Sequence, residues 1–264
     1  MIYGMVDKYA LITGGSSGIG LDIAKELAKR NYKLLLVSNQ EERLKELERD
    51  LTTEFGVETR SLFIDLSRLE AAQELYDYCL QANIEVEVLV NNAGFFFFNQ
   101  IVDSDLKKAE TMMRLHVITP SLLTTLFGAE MKKKKCGFIL FTSSISAFKH
   151  FPGIGYYGST KSYLKSFSRS LHTEMRPHGV HVTSVLPGAT ATDLYDPNMI
   201  NVELGKKLGI MMGSNKVARQ AVNALFRNQA EIVPGFSTKL MLFFARLTPY
   251  WLIGIIAKYS GLFK

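Results

Sequence analysis

Lys8–Thr13 (KYALIT) reads as a short buried strand. It runs straight into Gly14-Gly15-Ser16-Ser17-Gly18-Ile19-Gly20, and Ile19, Ile23, Ala24, Leu27 and Ala28 then recur at helical spacing. Few folds use that succession. Glycines between a strand and a helix let the backbone turn tightly and come close to a pyrophosphate. The helix start adds free N–H groups and the positive end of its dipole. The other reading is a structural turn whose glycines serve packing. The spacing is G-x-x-x-G-x-G, not the G-x-G-x-x-G of the dinucleotide fingerprint.

The same alternation continues along the chain. Lys33–Val37, Arg60–Ile64, Glu87–Val90, Gly137–Phe141 and Val180–Leu186 read as further strands. Between them lie helical patterns at Glu41–Phe55, with Leu44, Leu47 and Leu51 inward, at Glu70–Ala82, and at Lys107–Phe127. The last has Met112, Leu115, Ile118, Leu122 and Leu126 as its apolar stripe. Another helix begins at Tyr157, with Leu164, Phe167 and Leu171 on its apolar face. Strands alternating with helices predict an α/β fold, a parallel sheet covered on both faces. In such sheets ligands bind at the carboxyl ends of the strands. With 264 residues, 47% of them hydrophobic and 21% charged, residues 1–264 suffice for one such domain. There is no internal repeat and no linker-like stretch.

The polar residues fall at those strand ends. Ser38 and Asn39 stand where a dinucleotide fold meets the adenosine ribose. An acidic residue there would repel a 2′-phosphate; these small polar ones admit it, which favours NADP(H) over NAD(H). Arg43 lies a turn further on, either in reach of that phosphate or as a solvated helix charge. Asp65 either bonds an adenine amino group or caps the helix starting near Ser67, and the two are compatible. Asn91-Asn92-Ala93-Gly94 offers small residues beside which a ring can lie. Phe95–Phe98 then divides between an apolar cleft and, for at least two rings, the core. Pro187-Gly188-Ala189-Thr190-Ala191-Thr192 forms another turn open to close approach.

Tyr157 and Lys161 are four apart, so a helix puts them on one face. A phenol ordinarily titrates near a pKa of about 10. A neighbouring cation favours the phenolate, and the pair can then exchange a proton with a carbonyl or alcohol oxygen. Ser144, after the Gly137–Phe141 run, can hydrogen-bond the same oxygen. Spacing alone fits a half-exposed helix face as well.

Taken together, these residues resemble the short-chain dehydrogenases/reductases. TGGSSGIG at 13–20, Asp65, NNAG at 91–94, Ser144, YGSTK at 157–161 and PGATAT at 187–192 match that family's motifs in order, over about Lys8 to Ile232. The resemblance implies a Rossmann-type doubly wound sheet of about seven strands, the last near Ala230–Pro234. It also implies NAD(P)-dependent interconversion of ketones and alcohols. On that likeness Tyr157 is the general acid/base, Lys161 tunes it and binds the nicotinamide ribose, and Ser144 positions the substrate oxygen. Gly14, Ser16, Ser17, Gly18, Ile19 and Gly20 hold the pyrophosphate and adenosine ribose, and Asp65 and Leu66 the adenine. Asn92, Ala93, Gly94, Pro187, Gly188, Thr190 and Thr192 line the remaining cofactor. The family's usual helix Asn, part of a water-mediated proton path to the lysine, is replaced by His116, either a substitute or a packed helix residue. The family is often dimeric or tetrameric. A catalytically silent NADP(H)-binding sensor or scaffold is the competing reading.

A net charge of +6 suits an anionic cofactor, a phosphorylated or acyl-carrier substrate or a membrane surface, and equally an ordinary basic protein. Cys79 and Cys136 have no metal or redox spacing. Reduced thiols, a cytoplasmic location, no secretory signal, no metal and no nucleic-acid partner are expected. By the resemblance, residues 195–215, with Met199, Ile200, Met211 and Met212, form the substrate loop, and with the Phe run they suggest a lipophilic ketone or acyl substrate. Residues 239–264 form a hydrophobic extension that Pro249 divides into two short helices. It packs over the pocket or a partner subunit, lies on a membrane surface with Arg246, Lys258 and Lys264 at the headgroups, or spans the membrane.

Overall fold

The computed structural model describes residues 8–192 and 211–259. Its core is a seven-stranded parallel sheet in the order β3-β2-β1-β4-β5-β6-β9. The strands are β1 (Lys8–Thr13), β2 (Lys33–Ser38), β3 (Thr59–Phe63), β4 (Glu85–Asn91), β5 (Gly137–Thr142), β6 (Val180–Val185) and β9 (Glu231–Ile232). A two-stranded pair, β7 (Thr190–Ala191) and β8 (Met212–Gly213), lies apart from it. The main helices are α1 (Gly18–Ala28), α2 (Glu41–Phe55), α3 (Ala71–Gln81), α4 (Leu106–Met113), α5 (Thr119–Lys134), α6 (Gly155–Met175) and α7 (Ser214–Phe226). Two more, α8 (Phe236–Leu247) and α9 (Tyr250–Tyr259), close the described chain on either side of Pro249.

Each strand's alternate residues feed two cores. Ala10, Ile12, Leu34, Leu36 and Val90 face α1, α2 and α7, whose Ile23, Leu27, Leu44, Ala221 and Leu225 are buried with them. Leu11, Leu35, Val37, Leu89 and Phe141 face the other way, onto Leu75, Leu123, Phe127 and Leu164 of α3, α5 and α6. Both faces being apolar, the strands read as continuous hydrophobic runs, the mark of a doubly covered parallel sheet.

The stripe expected on the long helix is partly wrong. Ile118 and Leu122 are exposed, while Met112, His116, Thr119, Leu123 and Phe127 are buried. Between α4 and α5, Arg114–Ile118 forms a π-turn, in which the Thr119 N–H donates to the Arg114 carbonyl five residues back. Pro120 explains the fault: it has no N–H to offer the His116 carbonyl, and its ring crowds that carbonyl. The catalytic helix begins at Gly155, two residues before Tyr157. Asp65 caps no helix, because α3 starts only at Ala71; its Oδ1 accepts from the Ser67 N–H (2.9 Å) and Oγ (2.7 Å) in the turn before it.

The glycines of the first turn differ in kind from the glycine that ends α2. A Cβ on Gly20 would sit 2.2 Å from the Gly14 carbonyl oxygen, whereas at Gly56 (φ +67°) it would meet nothing within 4 Å. Gly56→Ala is therefore expected to cost only the left-handed strain, about 1 kcal/mol. Gly20→Ala is expected to cost about 3 kcal/mol or more, because backbone must move. Urea unfolding of both variants checks the contrast.

Candidate active site

β1 and β4 are sheet neighbours although the chain leaves them in opposite directions, which opens a crevice beyond their carboxyl ends. Thr13 and Asn92 tie that edge together. Thr13 Oγ1 donates to the Val90 carbonyl (3.0 Å) and accepts from the N–H groups of Asn92 (2.9 Å) and Ala93 (3.1 Å). Asn92 Nδ2 donates to the carbonyls of Thr13 and Gly14, and Thr142 Oγ1 donates to Asn92 Oδ1 (3.1 Å). The ends of β1, β4 and β5 are thus held in one polar frame.

A cavity of about 1100 Å³ fills the crevice. At one end Gly14, Ser16, Ser17, Gly18 and Ile19 form its wall, with Ser38, Asn39, Asp65 and Leu66 beyond them. Gly14 (φ +63°) and Gly18 (φ +53°) take the left-handed conformation, and their missing side chains let Ala93 and Thr192 pack against the turn. No acid occupies the first turn of α1, whose N-terminus opens on the cavity. This turn fits the pyrophosphate of a dinucleotide: bare backbone, free N–H groups and a positive dipole end. Gly20 lies off the cavity wall and serves the packing of α1 on Gly14. Gln40 and Arg43 do reach the wall, beside Ser38 and Asn39. Arg43 fits both of its readings: it is exposed and its guanidinium donates to Glu46 Oε2 (2.9 Å) on the same helix, while part of it lies on the cavity wall.

At the other end Asn92, Ala93, Gly94, Ser144, Tyr157, Lys161, Pro187, Gly188, Thr190 and Thr192 share the same cavity. Lys161 is 5% exposed. Its Nζ donates to the Thr142 carbonyl (2.9 Å) and stands 5.5 Å from the centre of the Tyr157 ring. Burial pushes its amine down to about 8. Ser143 Oγ donates to the Lys161 carbonyl (2.7 Å), pinning α6 to the end of β5. Ser144 is buried beside it, its Oγ accepting from the Ser146 N–H (3.2 Å). The Phe96 ring meets Tyr157 edge-on at 5.1 Å.

His116 is 1% exposed and both its ring nitrogens are bonded. Nε2 accepts from the Phe95 N–H (3.2 Å), so in the neutral ring Nδ1 carries the proton and donates to Thr160 Oγ1 (3.0 Å). Thr160 Oγ1 in turn donates to the Tyr157 carbonyl (2.9 Å). Burial and the nearby Lys161 ammonium hold the imidazole well below its usual range. A Cβ on Gly94 would stand 2.5 Å from Nε2, so glycine there makes room for the ring. The imidazole thus braces the loop after β4 against α6, which carries Tyr157 and Lys161.

Apart from His116, Thr142, Ser143, Ser146 and Lys149, most of the rest of the wall is apolar. Phe95, Phe96, Leu115, Phe151, Ile154, Met241 and Leu242 line it. Phe97 does not; it stacks on Phe95 at 6.1 Å, and Phe98 lies under Gly153. Neither reaches the core: all four rings are half-buried, because the segment crosses the rim of the sheet instead of entering it. Met199 and Ile200 of the expected substrate loop fall outside the described residues. No group of side chains that could hold a metal occurs among the described residues.

A family model described as short chain dehydrogenase matches residues 8–201. The very-long-chain 3-oxoacyl-CoA reductases of Rattus norvegicus and Homo sapiens are each 34% identical over 194 residues, 71% of this chain and 61% of theirs. The match thus spans about three fifths of the length of those relatives. Among solved structures, a short-chain dehydrogenase from Sphingobium yanoikuyae in complex with NADPH superposes with a TM-score of 0.80 at 27% identity, covering 92% of this chain and 94% of that one. A bulky-bulky ketone specific alcohol dehydrogenase from Comamonas testosteroni gives 0.75 at 25% identity, covering 92% of each.

Because His116 is buried neutral, the unfolded chain binds a proton below pH 6.5 that the folded chain does not, so stability falls as pH drops through 6.5. His116→Asn is expected to lose stability at pH 7.5, about 1–3 kcal/mol for the lost bonds, but to show a smaller further loss at pH 5.5 than the parent. Denaturant titrations at the two pH values measure both effects.

Proposed function

This chain belongs to the short-chain dehydrogenases, and on that premise we propose that it interconverts a lipophilic ketone of the 3-oxoacyl class and its secondary alcohol, with NADP(H) as cofactor. The observation that carries the proposal is one continuous cavity: the glycine turn at one end, and Ser144, Tyr157 and Lys161 together at the other. When bound, the nicotinamide supplies or accepts the hydride. In reduction Tyr157 gives its Oη proton to the substrate oxygen; in oxidation it takes one back. The Lys161 ammonium stabilises the phenolate left behind. Ser144 Oγ donates to the same oxygen as charge builds on it.

Three features support the finer reading. Ser38 and Asn39 leave room for a 2′-phosphate, and Arg43 on the same stretch of wall offers it a guanidinium. The phenylalanine and leucine wall suits an acyl or steroid-like body over a small polar one. The 3-oxoacyl-CoA reductases among the relatives point to the acyl class. A separate surface supports an oligomer: Met113, Ile118, Leu122 and Tyr163 are exposed on α4, the π-turn, α5 and α6, where a second copy would cover them.

A panel of lipophilic ketones and 3-oxoacyl thioesters, assayed with NADPH and with NADH, tests substrate and cofactor. Turnover is expected with NADPH in preference. Tyr157→Phe should lower it by about 10²-fold or more and leave NADPH binding, read by its fluorescence, nearly unchanged. Binding without turnover in the parent would favour the sensor reading. Reduction should also fall as pH rises through about 8, where Lys161 loses its proton; a profile flat to pH 10 would contradict this role.

A further inference from the structure

We propose that α8 and α9 dock the protein on the surface of an anionic lipid bilayer. Both helices lie beyond residue 201, where the family match ends. α8 has two apolar sides. One, with Leu242 buried and Met241 and Ala245 on the cavity wall, closes the substrate end of the site. The other carries Phe236, Leu240, Phe243, Phe244 and Leu247 at i, i+4, i+7, i+8 and i+11, all exposed, Phe236 to 82%. On α9, Trp251, Ile255 and Tyr259 repeat the pattern at i, i+4 and i+8, with Trp251 67% exposed. Each of the two helices thus bares its apolar side chains as a stripe at helical period, not as scattered surface apolar residues.

Charge decides what covers the patch. No Asp or Glu follows Glu231 anywhere in the sequence, while Lys239, Arg246 and Lys258 are exposed on these helices. Apposing two copies of such a face would bring cations together with no acid to meet them. Anionic headgroups meet them, while the aromatic and leucine side chains enter the acyl boundary. Tryptophan and tyrosine suit that boundary. Neither helix, with 12 and 10 residues described, is long and apolar enough to cross a membrane, and none of the other described helices is.

The helices are fastened to the active-site loop. The Arg246 guanidinium lies 4.2 Å from the centre of the Phe148 ring, and Lys149 Nζ lies 4.0 Å from that of Tyr250. Arg246 therefore serves the fold as well as the headgroups, a change from its expected role. With Met241 and Ala245 on the cavity wall, docking through the opposite side would place the substrate end of the cavity one helix, α8, from the lipid. That use rests on the lipophilic-substrate reading; the docking itself does not.

The test uses the full chain and vesicles, without turnover. Trp251 is the one tryptophan in the sequence, so its emission reports on the patch directly. Flotation with phosphatidylcholine vesicles containing about 30% phosphatidylglycerol should recover most of the protein, at least tenfold more than with phosphatidylcholine alone. Trp251 emission should shift to the blue, and 0.5 M salt should weaken binding. Phe243→Glu with Leu247→Glu, both at exposed positions, should cut binding at least tenfold with unchanged circular dichroism. No binding at low salt, or equal binding to the two vesicles, overturns the proposal. So does conversion of an oligomer to monomer by the same double substitution, which would assign the face to a second copy.

Discussion

An ammonium held in the interior with no carboxylate partner among the described residues is the constraint on which this structure turns. Burial lowers the Lys161 pKa, and no acid among the described residues raises it again. An isolated buried charge costs several kcal/mol. The Thr142 carbonyl and the face of Tyr157 return only part of that. The amine is therefore poised, ready to favour negative charge on the phenol beside it. A carboxylate in contact would remove that readiness, by pairing with the ammonium and screening it.

Holding such a group in register takes a second layer. Ser143 bonds the Lys161 backbone, Thr160 bonds the Tyr157 backbone, and His116 bonds Thr160 from across the cleft. His116 lies within the π-turn, four residues after the buried Met112, and faces inward with it. With its two nitrogens engaged by Phe95 and Thr160, the ring ties the loop after β4 to α6. The Thr13–Asn92–Thr142 frame does the same for the strand ends.

Much of this was legible in the sequence. The central strands β1, β2 and β5 are buried on both faces and so carry short apolar runs bounded by turn residues, and the glycine turn announces the first crossover. Tyr157 and Lys161 were legible because helical spacing fixes their relation. The π-turn was not, since periodicity assumes an unbroken helix; Pro120 was visible, but not the i→i+5 bond made around it. Gly20 was misplaced because a glycine in a phosphate-binding pattern looks the same whether it faces the ligand or the neighbouring turn. The Phe95–Phe98 run could not be divided without knowing that it crosses the sheet rim. The tail showed its two helices, but their outward apolar stripe is separated from the inward one only when α8 is docked.

The most direct test is to remove the ammonium and keep the phenol. With Lys161→Met, single-turnover reduction of a ketone substrate at saturating NADPH should slow by at least about 10²-fold at pH 7, with Tyr157 still present and the fold intact by circular dichroism. A rate within a few-fold of the parent would show that the buried amine does not empower the phenol.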